Sequence, residues 1–247
     1  MIDCVSVRNM RFSDQQTIVK GMSGRELIRR AARGIYDTIE WSGKIAILCG
    51  SGNNGADGYA LSILLKENGY DVSVYTVTKR MHEDCFYFAE EAKRKGLIIQ
   101  NYENDRNSLT EYDMIVDCLL GTGFTGELRE NYRQAIEEIN RTSSYVVSVD
   151  INSGMNGDSG KGDFIVKSDL TVTIEFVKNG MAEPSAEEYI GRLVCVKIGI
   201  ELSEQEDKLC NEQEWEELCE RLSVGNGEQE MVYDGVRYIK CPRWICI

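Results

Sequence analysis

Short, almost continuous apolar runs alternate along this chain with segments whose apolar residues recur every three or four positions. The run "KIAILCG" at 44–50 is typical of a strand buried on both faces. After it, the spacing of apolar residues from Ala56 to Leu64 is that of an amphipathic helix, which Gly69 ends. The same patterns predict another helix capped by Ser23 and helices at 83–95 and 130–141. They also predict strands at 71–77, 97–100, 113–123, 145–154, 169–176 and 192–200, where 113–123 includes a glycine loop and 145–154 a polar loop.

This alternation predicts an α/β fold in which a mostly parallel sheet is covered by helices on both faces. A change of composition near residue 202 suggests a domain at 1–202 and a short acidic extension at 203–247. Residues 201–247 hold 12 Asp and Glu against 5 Lys and Arg. Within the extension, 212–222 is typical of an acidic surface helix, and Asp234–Gly235 between strand-like arms predicts a hairpin. We assign the extension no function.

The formal net charge of −13 opposes binding to duplex nucleic acid, which proteins achieve by neutralising phosphates with Lys and Arg. No apolar stretch approaches the roughly 20 residues of a membrane span. The N-terminus also lacks the apolar centre of a signal peptide. We therefore expect a soluble cytoplasmic protein with neither nucleic acid nor membrane as a partner.

The nine cysteines include no C-x-x-C pair and form no cluster typical of a zinc site. Cys49, Cys118 and Cys195 lie inside apolar runs, which predicts buried free thiols. Cys241 and Cys246 leave an alternative open, in which they pair or bind a metal.

Three polar loops follow predicted strands, and open parallel sheets bind ligands at the carboxyl ends of their strands. The first loop, "GSGNNGADG" at 50–58, contains the G-x-G-x-x-G of dinucleotide-binding proteins. The pattern is weak evidence, because "GTGFTG" at 121–126 repeats it. Asp57 also falls in the first helical turn, where a pyrophosphate would normally sit. The loop therefore either contacts a nucleotide-like ligand in another way or serves only to turn the chain.

The other two loops contain carboxylates. Asp117 lies inside an apolar strand, where a buried carboxylate needs a cation or hydrogen-bond donors. Asp150 ends another strand and is suited to general acid/base chemistry, or alternatively to bracing its loop. Ser153 follows, but a triad is not expected because His82, the only histidine, is distant in sequence. Asn54, Asp117 and Ser153 together offer hard oxygen donors, which suit an alkali or alkaline-earth cation better than zinc.

Taken together, these loops resemble the YjeF N-terminal domain family, the NAD(P)H-hydrate epimerases. The similar stretches are "GSGNNGADGYALSILLKENGYDVSVY", "VDCLLGTGFTGELRENYRQAIEEIN", "VVSVDINSGMNGDSG" and "SDLTVTIEFVKNGM", and the resemblance covers roughly residues 5–201. It implies a Rossmann-like three-layer α/β/α sandwich that forms a homodimer. The implied activity is interconversion of the R and S forms of NADHX and NADPHX, upstream of a separate NAD(P)H-hydrate dehydratase.

The resemblance also implies roles for individual residues. Asp150 is the expected catalytic residue, and Asn54, Asp117 and Ser153 are expected to hold a potassium ion. Lys178, in "VKNGM", is a possible neighbour of the site whose role the sequence leaves open. The implied substrate contacts are Asn53, Asn54, Gly55, Ala56, Asp57, Gly121, Thr122, Gly123, Phe124, Thr125, Gly126, Glu127 and Asp150.

The chain departs from the family pattern at two loop positions. Ala56 replaces the usual second glycine of "NNGGDG" and is expected to tighten the loop. Asn152 replaces the proline of "DIPSG" and is expected to hold its turn less rigidly. Two alternatives remain: a non-catalytic nucleotide-binding scaffold, and a nicotinamide dehydrogenase.

Overall fold

The computed structural model describes residues 4–102 and 109–203 in full and the backbone alone of 229–233 and 238–242. Its centre is a seven-stranded sheet in the order β4-β3-β2-β5-β6-β7-β9, and every neighbouring pair is parallel. These strands are β2 Lys44–Cys49, β3 Asp71–Thr76, β4 Ile99–Asn101, β5 Met114–Cys118, β6 Tyr145–Val149, β7 Leu170–Ile174 and β9 Arg192–Val196.

Helices cover both faces of this sheet, and the predicted α/β architecture is confirmed. Alternate residues of β2 enter different cores: Ile45 and Ile47 pack on one face, and Ala46 and Leu48 on the other. This two-sided burial is the reason that the strand is an unbroken apolar run. The first core contains helices α2 Gly24–Thr38, α3 Asn53–Glu67 and α4 Glu83–Arg94, and the second contains α5 Glu130–Ile139.

Smaller elements complete the described part of the chain. Strand β1 (Cys4–Val5) pairs with β8 (Val177–Lys178) in parallel, and helix α1 (Val7–Val19) follows β1. Helix α6 is Glu187–Ile190, and three 3₁₀ turns occupy Leu109–Glu111, Asn179–Ala182 and Pro184–Ala186.

The apolar pattern did not predict α1, because the buried face of this helix is largely polar. Asn9, Ser13 and Thr17 recur every four residues and are all buried. The Ser13 hydroxyl donates to Asn9 Oδ1 at 3.2 Å, and the Thr17 hydroxyl donates to the Ser13 carbonyl at 2.8 Å. Hydrogen bonds satisfy this face, so the helix packs without a hydrophobic stripe.

In the extension, β10 (Gln229–Tyr233) and β11 (Tyr238–Pro242) form an antiparallel pair with Tyr233 opposite Tyr238. The predicted turn at Asp234–Gly235 and the predicted helix at 212–222 lie outside the described residues.

The predicted buried thiols are confirmed, since Cys49, Cys118 and Cys195 are buried and unpaired. The side chains of Cys241 and Cys246 are outside the described part of the chain. None of the described helices is long and apolar enough to cross a membrane.

Candidate active site

The candidate site lies where the strand order of the sheet reverses. β2 and β5 are neighbours at its centre, and the helices that follow them, α3 and α5, lie on opposite faces. The loops after the two strands therefore diverge at the carboxyl edge of the sheet, which is where open α/β sheets bind ligands. They border a cavity of about 610 Å³, whose remaining walls include residues of α1 and α2.

Glycines let the two central loops touch. A Cβ atom on Gly50 would lie 1.8 Å from the carbonyl oxygen of Leu119, in the loop after β5. A Cβ atom on Gly55 would lie 2.3 Å from the carbonyl oxygen of Gly50. Both distances are far below van der Waals contact, so neither position accepts a side chain. Two of the three glycines of the G-x-G-x-x-G pattern therefore serve close packing of backbone on backbone, whereas a Cβ atom on Gly52 would meet no atom within 4 Å.

Asn54 connects the first loop to the second. Its side-chain nitrogen donates to the carbonyl oxygen of Leu120 at 2.9 Å. Its side-chain oxygen, Oδ1, is buried and has no hydrogen-bond partner among the described residues. A buried amide oxygen without a donor is costly, so this atom is available to a bound ligand or cation.

Asp57 lines the same cavity from the start of the second turn of α3, not from the first turn as the sequence suggested, and is only 5% exposed. Burial raises the pKa of its carboxyl well above the usual value, and the charges of Asp150 and Asp14 raise it further. The positive charge of Lys178 acts in the opposite direction but is the smallest of these effects. Asp57 therefore favours its protonated form, which can donate a hydrogen bond into the cavity.

Asp150 is held in place through its backbone and its side chain. Its φ of +68° is unusual for a residue other than glycine. Its N–H donates to the carbonyl of Val172 at 2.8 Å, and its own carbonyl accepts the hydroxyl of Thr173 at 2.9 Å. Carboxylate oxygen Oδ2 accepts the N–H of Thr122 at 3.3 Å. A Cβ atom on Gly121 would lie 2.9 Å from Oδ2, so the loop approaches this carboxylate through a glycine.

The structure gives Lys178 the role that the sequence left open. Its side chain is completely buried, and Nζ lies 2.5 Å from Asp150 Oδ1. Nζ also donates to the hydroxyl of Thr173 at 2.8 Å and to the carbonyl of Ile174 at 3.1 Å. All three ammonium protons therefore have acceptors, and the ion pair fixes one oxygen of Asp150.

Asp117 and Ser153 form a buried network beside this ion pair. Asp117 Oδ1 accepts the Ser153 hydroxyl at 2.5 Å, and Oδ2 accepts the Ser153 N–H at 2.9 Å and the Ser148 hydroxyl at 3.0 Å. Burial raises the pKa of Asp117, although these hydrogen bonds oppose the shift. No described residue forms an ion pair with Asp117. Ser153 is thus committed to Asp117, and no histidine or lysine among the described residues makes a hydrogen bond to its hydroxyl.

Most of the substrate contacts expected from the sequence line the cavity. Gly55 and Ala56 do not line it, and Gly126 lies in a neighbouring depression. The contacts that line it are Asn53, Asn54, Asp57, Gly121, Thr122, Gly123, Phe124, Thr125, Glu127 and Asp150.

Sequence reasoning did not identify the residues that α1 contributes, nor did it assign His82 to the site. Met10, Arg11 and Asp14 line the cavity from α1, and Arg11 Nη2 donates to the carbonyl of Thr122 at 3.2 Å. His82, which precedes α4, lies at the same cavity, and its N–H donates to the carbonyl of Ser51. A charged residue on an exposed-looking helix is a weak signal in sequence, so only the fold assigns these side chains to the site.

Comparison with known proteins decides the family. The family model described as "YjeF-related protein N-terminus" matches residues 24–180, more than half of the chain. This chain belongs to that family.

Curated relatives of the YjeF-related family fall into two groups by length. The "Bifunctional NAD(P)H-hydrate repair enzyme Nnr" of Archaeoglobus fulgidus is 32% identical over 212 residues, which are 85% of this chain and 44% of that protein. The chain thus spans less than half the length of this bifunctional relative. The "NAD(P)H-hydrate epimerase" of Rhodopirellula baltica is 33% identical over 73% of this chain and 78% of that protein. The "NAD(P)H-hydrate epimerase" of Limosilactobacillus fermentum is 31% identical over 77% of this chain and 94% of that protein.

A solved structure supports the fold independently. The crystal structure of yeast ynu0, YNL200c, superposes with a TM-score of 0.68 over 97% of this chain and 100% of that one. The two sequences are 17% identical, so this likeness bears on the fold alone.

Both departures from the pattern of the YjeF-related family have structural consequences. The methyl group of Ala56 is completely buried in the core with α2, away from the cavity, so it fills space beneath the loop. Asn152 is also completely buried, and its Oδ1 accepts the hydroxyl of Thr171 at 2.9 Å. Its Nδ2 lies within 3.0 Å of the carbonyls of Val166 and Tyr189 and of the Ser168 hydroxyl. The expectation that Asn152 holds the turn less rigidly is not supported, because its amide ties the turn to neighbouring segments.

Proposed function

We propose that this chain is an NAD(P)H-hydrate epimerase, an isomerase that interconverts the R and S forms of NADHX and NADPHX. The observation that carries the proposal is the position of the Asp150 carboxylate. The buried Lys178 holds it at the cavity that lies where the strand order of the sheet reverses. The names of the shorter relatives, which match most of their length, support the same activity.

The chemistry needs little more than a positioned proton carrier. The hydrate has a hydroxyl group on C6 of the reduced nicotinamide ring, so C6 is a hemiaminal carbon. Protonation of this hydroxyl lets the lone pair of N1 form a C6=N1 iminium bond as water leaves. Water then adds to the planar carbon, and the electron pair returns to N1. A general acid/base beside the ring is suited to such proton transfers, and we assign this role to Asp150.

Lys178 supports Asp150 in this role. One carboxylate oxygen is bound to the ammonium, and the other accepts the Thr122 N–H from the loop at 121–127. These contacts hold the Asp150 carboxylate in one orientation before the substrate binds, so the substrate alone has to be positioned relative to it. Pre-organisation of this kind lowers the barrier because little reordering is left for the reaction itself.

We propose that a potassium ion binds next to Asn54 and acts as a structural cofactor. The unpartnered Asn54 Oδ1 is the observation that supports it. Ser153 Oγ, Asp117 and the Leu120 carbonyl are linked to this amide by hydrogen bonds, so several oxygen donors surround one region. The Asp117 carboxylate would supply the negative charge. Such a donor set suits a hard monovalent cation, which would hold the loops around the cavity in place.

Exchange of potassium tests this assignment. In KCl the protein is expected to melt about 4–8 °C higher than in choline chloride of equal ionic strength, because a cation at saturating concentration stabilises the folded state by about 2 kcal/mol. Sodium should stabilise less than potassium. Differential scanning calorimetry measures the shift.

The variant Asn54→Ala should lose this cation dependence. The matched control is Asn68→Ala, at the other end of α3, where the exposed amide contacts only the Leu64 carbonyl. The control should keep the dependence. Equal melting temperatures of the unaltered protein in all three salts would contradict the cation site.

The substrate and partners of the whole protein follow from the same proposal. The product S form would pass to a separate dehydratase, since the longer relatives are named as bifunctional repair enzymes. We further propose that the chain acts in the cytoplasm as a homodimer.

The decisive assay supplies R-NADHX together with a dehydratase that is specific for the S form. With this protein present, all of the R form should be converted, whereas without it only spontaneous epimerisation feeds the dehydratase. NADPHX is run in parallel, and absorbance of NADH or NADPH reports the reaction. If the protein does not accelerate the conversion, the epimerase proposal fails and a non-catalytic scaffold becomes the better explanation. Hydride transfer to an added carbonyl substrate would instead indicate a dehydrogenase.

A further inference from the structure

Epimerisation at C6 requires access to both faces of the ring. Water leaves the planar iminium from one face and must return to the opposite face for the configuration to invert. If it returns to the same face, the oxygen atom is exchanged but the epimer is unchanged. A group that transfers protons on one face alone therefore supports oxygen exchange more readily than inversion.

Asp150 is restricted to one side of the cavity. Its Oδ1 is bound to Lys178, its Oδ2 accepts the Thr122 N–H, and its backbone is hydrogen-bonded on both sides of the residue. A carboxylate held in this way cannot follow the substrate from one face of the ring to the other. A second proton carrier is needed on the other side.

Helix α1 brings another carboxyl group to the same cavity. Asp14 is half-buried and lines the cavity from α1, whereas Asp150 lines it from the end of a strand of the sheet. The two carboxyl groups therefore belong to different walls of the cavity. No residue that the structure describes makes a hydrogen bond or an ion pair with Asp14. Its carboxyl group is therefore free to contact a ligand.

Several contacts fix the position of α1. Asp158 Oδ1 accepts the N–H of Val7 at 2.7 Å and so caps the start of the helix. Arg11, one turn before Asp14, reaches the Thr122 carbonyl at 3.2 Å, next to the N–H that binds Asp150. The strand that precedes α1 pairs Val5 with Lys178 itself. The N-terminal segment thus contacts Thr122 and Lys178, the two residues that bind the Asp150 carboxylate.

We propose that Asp14 is the second proton-transfer group of this site and serves the face of the nicotinamide ring opposite Asp150. The proposal rests on the proposed epimerase function and names a residue for the half of the reaction that Asp150 does not reach.

The step balances in both directions. Protonated Asp14 gives its proton to the C6 hydroxyl on its face, the C–O bond breaks, and water leaves as N1 forms the iminium bond. Ionised Asp150 then takes a proton from water on the other face, whose oxygen bonds to C6 while the electron pair returns to N1. One water leaves and one enters. The site resets when a proton passes from Asp150 to Asp14 through solvent, and the reverse reaction uses the same groups in exchanged roles.

The charges around Asp14 agree with this division. Burial raises the pKa of Asp14, and the negative charge of Asp150 raises it further. Three further carboxyl groups line the cavity, those of Asp57, Asp84 and Glu127. Arg11 lies on the same helix as Asp14, and Lys178 is already paired with Asp150. Two carboxyl groups in unlike surroundings are suited to carry one proton between them.

Labelled water separates the two halves of the reaction. The unaltered protein and Asp14→Asn are each incubated in H₂¹⁸O with the separated epimers of NADHX, and mass spectrometry and chromatography follow label and configuration. In Asp14→Asn, inversion should fall about 100-fold, the size of a lost general acid/base. Label uptake without inversion should persist within about tenfold, and only in the epimer whose hydroxyl faces Asp150. The partial rescue of inversion by Asp14→Glu is also expected.

Three controls give each outcome a meaning. Gln15→Ala changes an exposed neighbour on α1 and should leave inversion and exchange unaltered. If exchange and inversion fall together in Asp14→Asn, or if both are unchanged, Asp14 is not the second proton carrier. If Asp57→Asn and not Asp14→Asn uncouples exchange from inversion, the proposal is overturned in favour of Asp57. Inversion that survives Asp150→Asn would instead refute the epimerase mechanism on which the proposal depends.

Discussion

Replacement of Asp150 by asparagine should lower the rate of R-to-S conversion by about 10³-fold, within the range for loss of a general acid/base. Asparagine has the same shape as aspartate and tolerates the left-handed backbone that Asp150 adopts at φ +68°. It cannot give or take a proton in the physiological range. The dehydratase-coupled assay measures the rate, and circular dichroism with thermal melting checks that the variant is folded.

Asp71→Asn is the matched control, because Asp71 is exposed at the start of β3, at the opposite end of the strand from the cavity. Its activity should equal that of the unaltered protein. Conversion by Asp150→Asn at an unchanged rate would remove Asp150 from the mechanism, while the family assignment would stand.

Replacement of Lys178 by methionine should lower the free energy of unfolding by about 3 kcal/mol. Methionine fills much of the same volume but leaves Asp150 without its counter-ion. Removal of one partner of a buried ion pair costs about 3–5 kcal/mol, and the Asp150 side chain is 15% exposed, which favours the lower end of that range. Urea denaturation measures the change. Activity should fall as well, because Asp150 Oδ1 is then no longer held.

The double variant Lys178→Met with Asp150→Asn distinguishes a charge effect from a packing effect. It removes both charges, so it should recover most of the lost stability while staying inactive. Double-mutant cycles isolate this coupling between two contacting residues. If the single variant at Lys178 is as stable as the unaltered protein, the ion pair does not stabilise the fold. If the double variant is the less stable of the two, the loss comes from packing.

The apolar pattern was sufficient for the sheet and for the loops that border the cavity. A strand covered on both faces, such as β2, is necessarily an unbroken apolar run, and each run ends where its backbone leaves the core. Asp117 and Asp150 could be singled out for the same reason, since a carboxylate next to such a run requires compensation. The family resemblance then rested on the order and spacing of these loops, which are local properties of the chain.

Tertiary packing alone decided which distant side chains meet. Lys178 and Asp150 are 28 residues apart in the sequence. The residues that flank Lys178 do not indicate whether its side chain is buried or exposed to solvent. Asp14 is carried by a helix whose buried face is polar, so hydrophobic periodicity could not detect the helix or its side of the cavity. The polar residues at the strand ends can be found from short stretches of sequence, because each follows or interrupts an apolar run that is buried along its own length. The partners that position it are separated along the chain and are brought together only when the sheet is assembled.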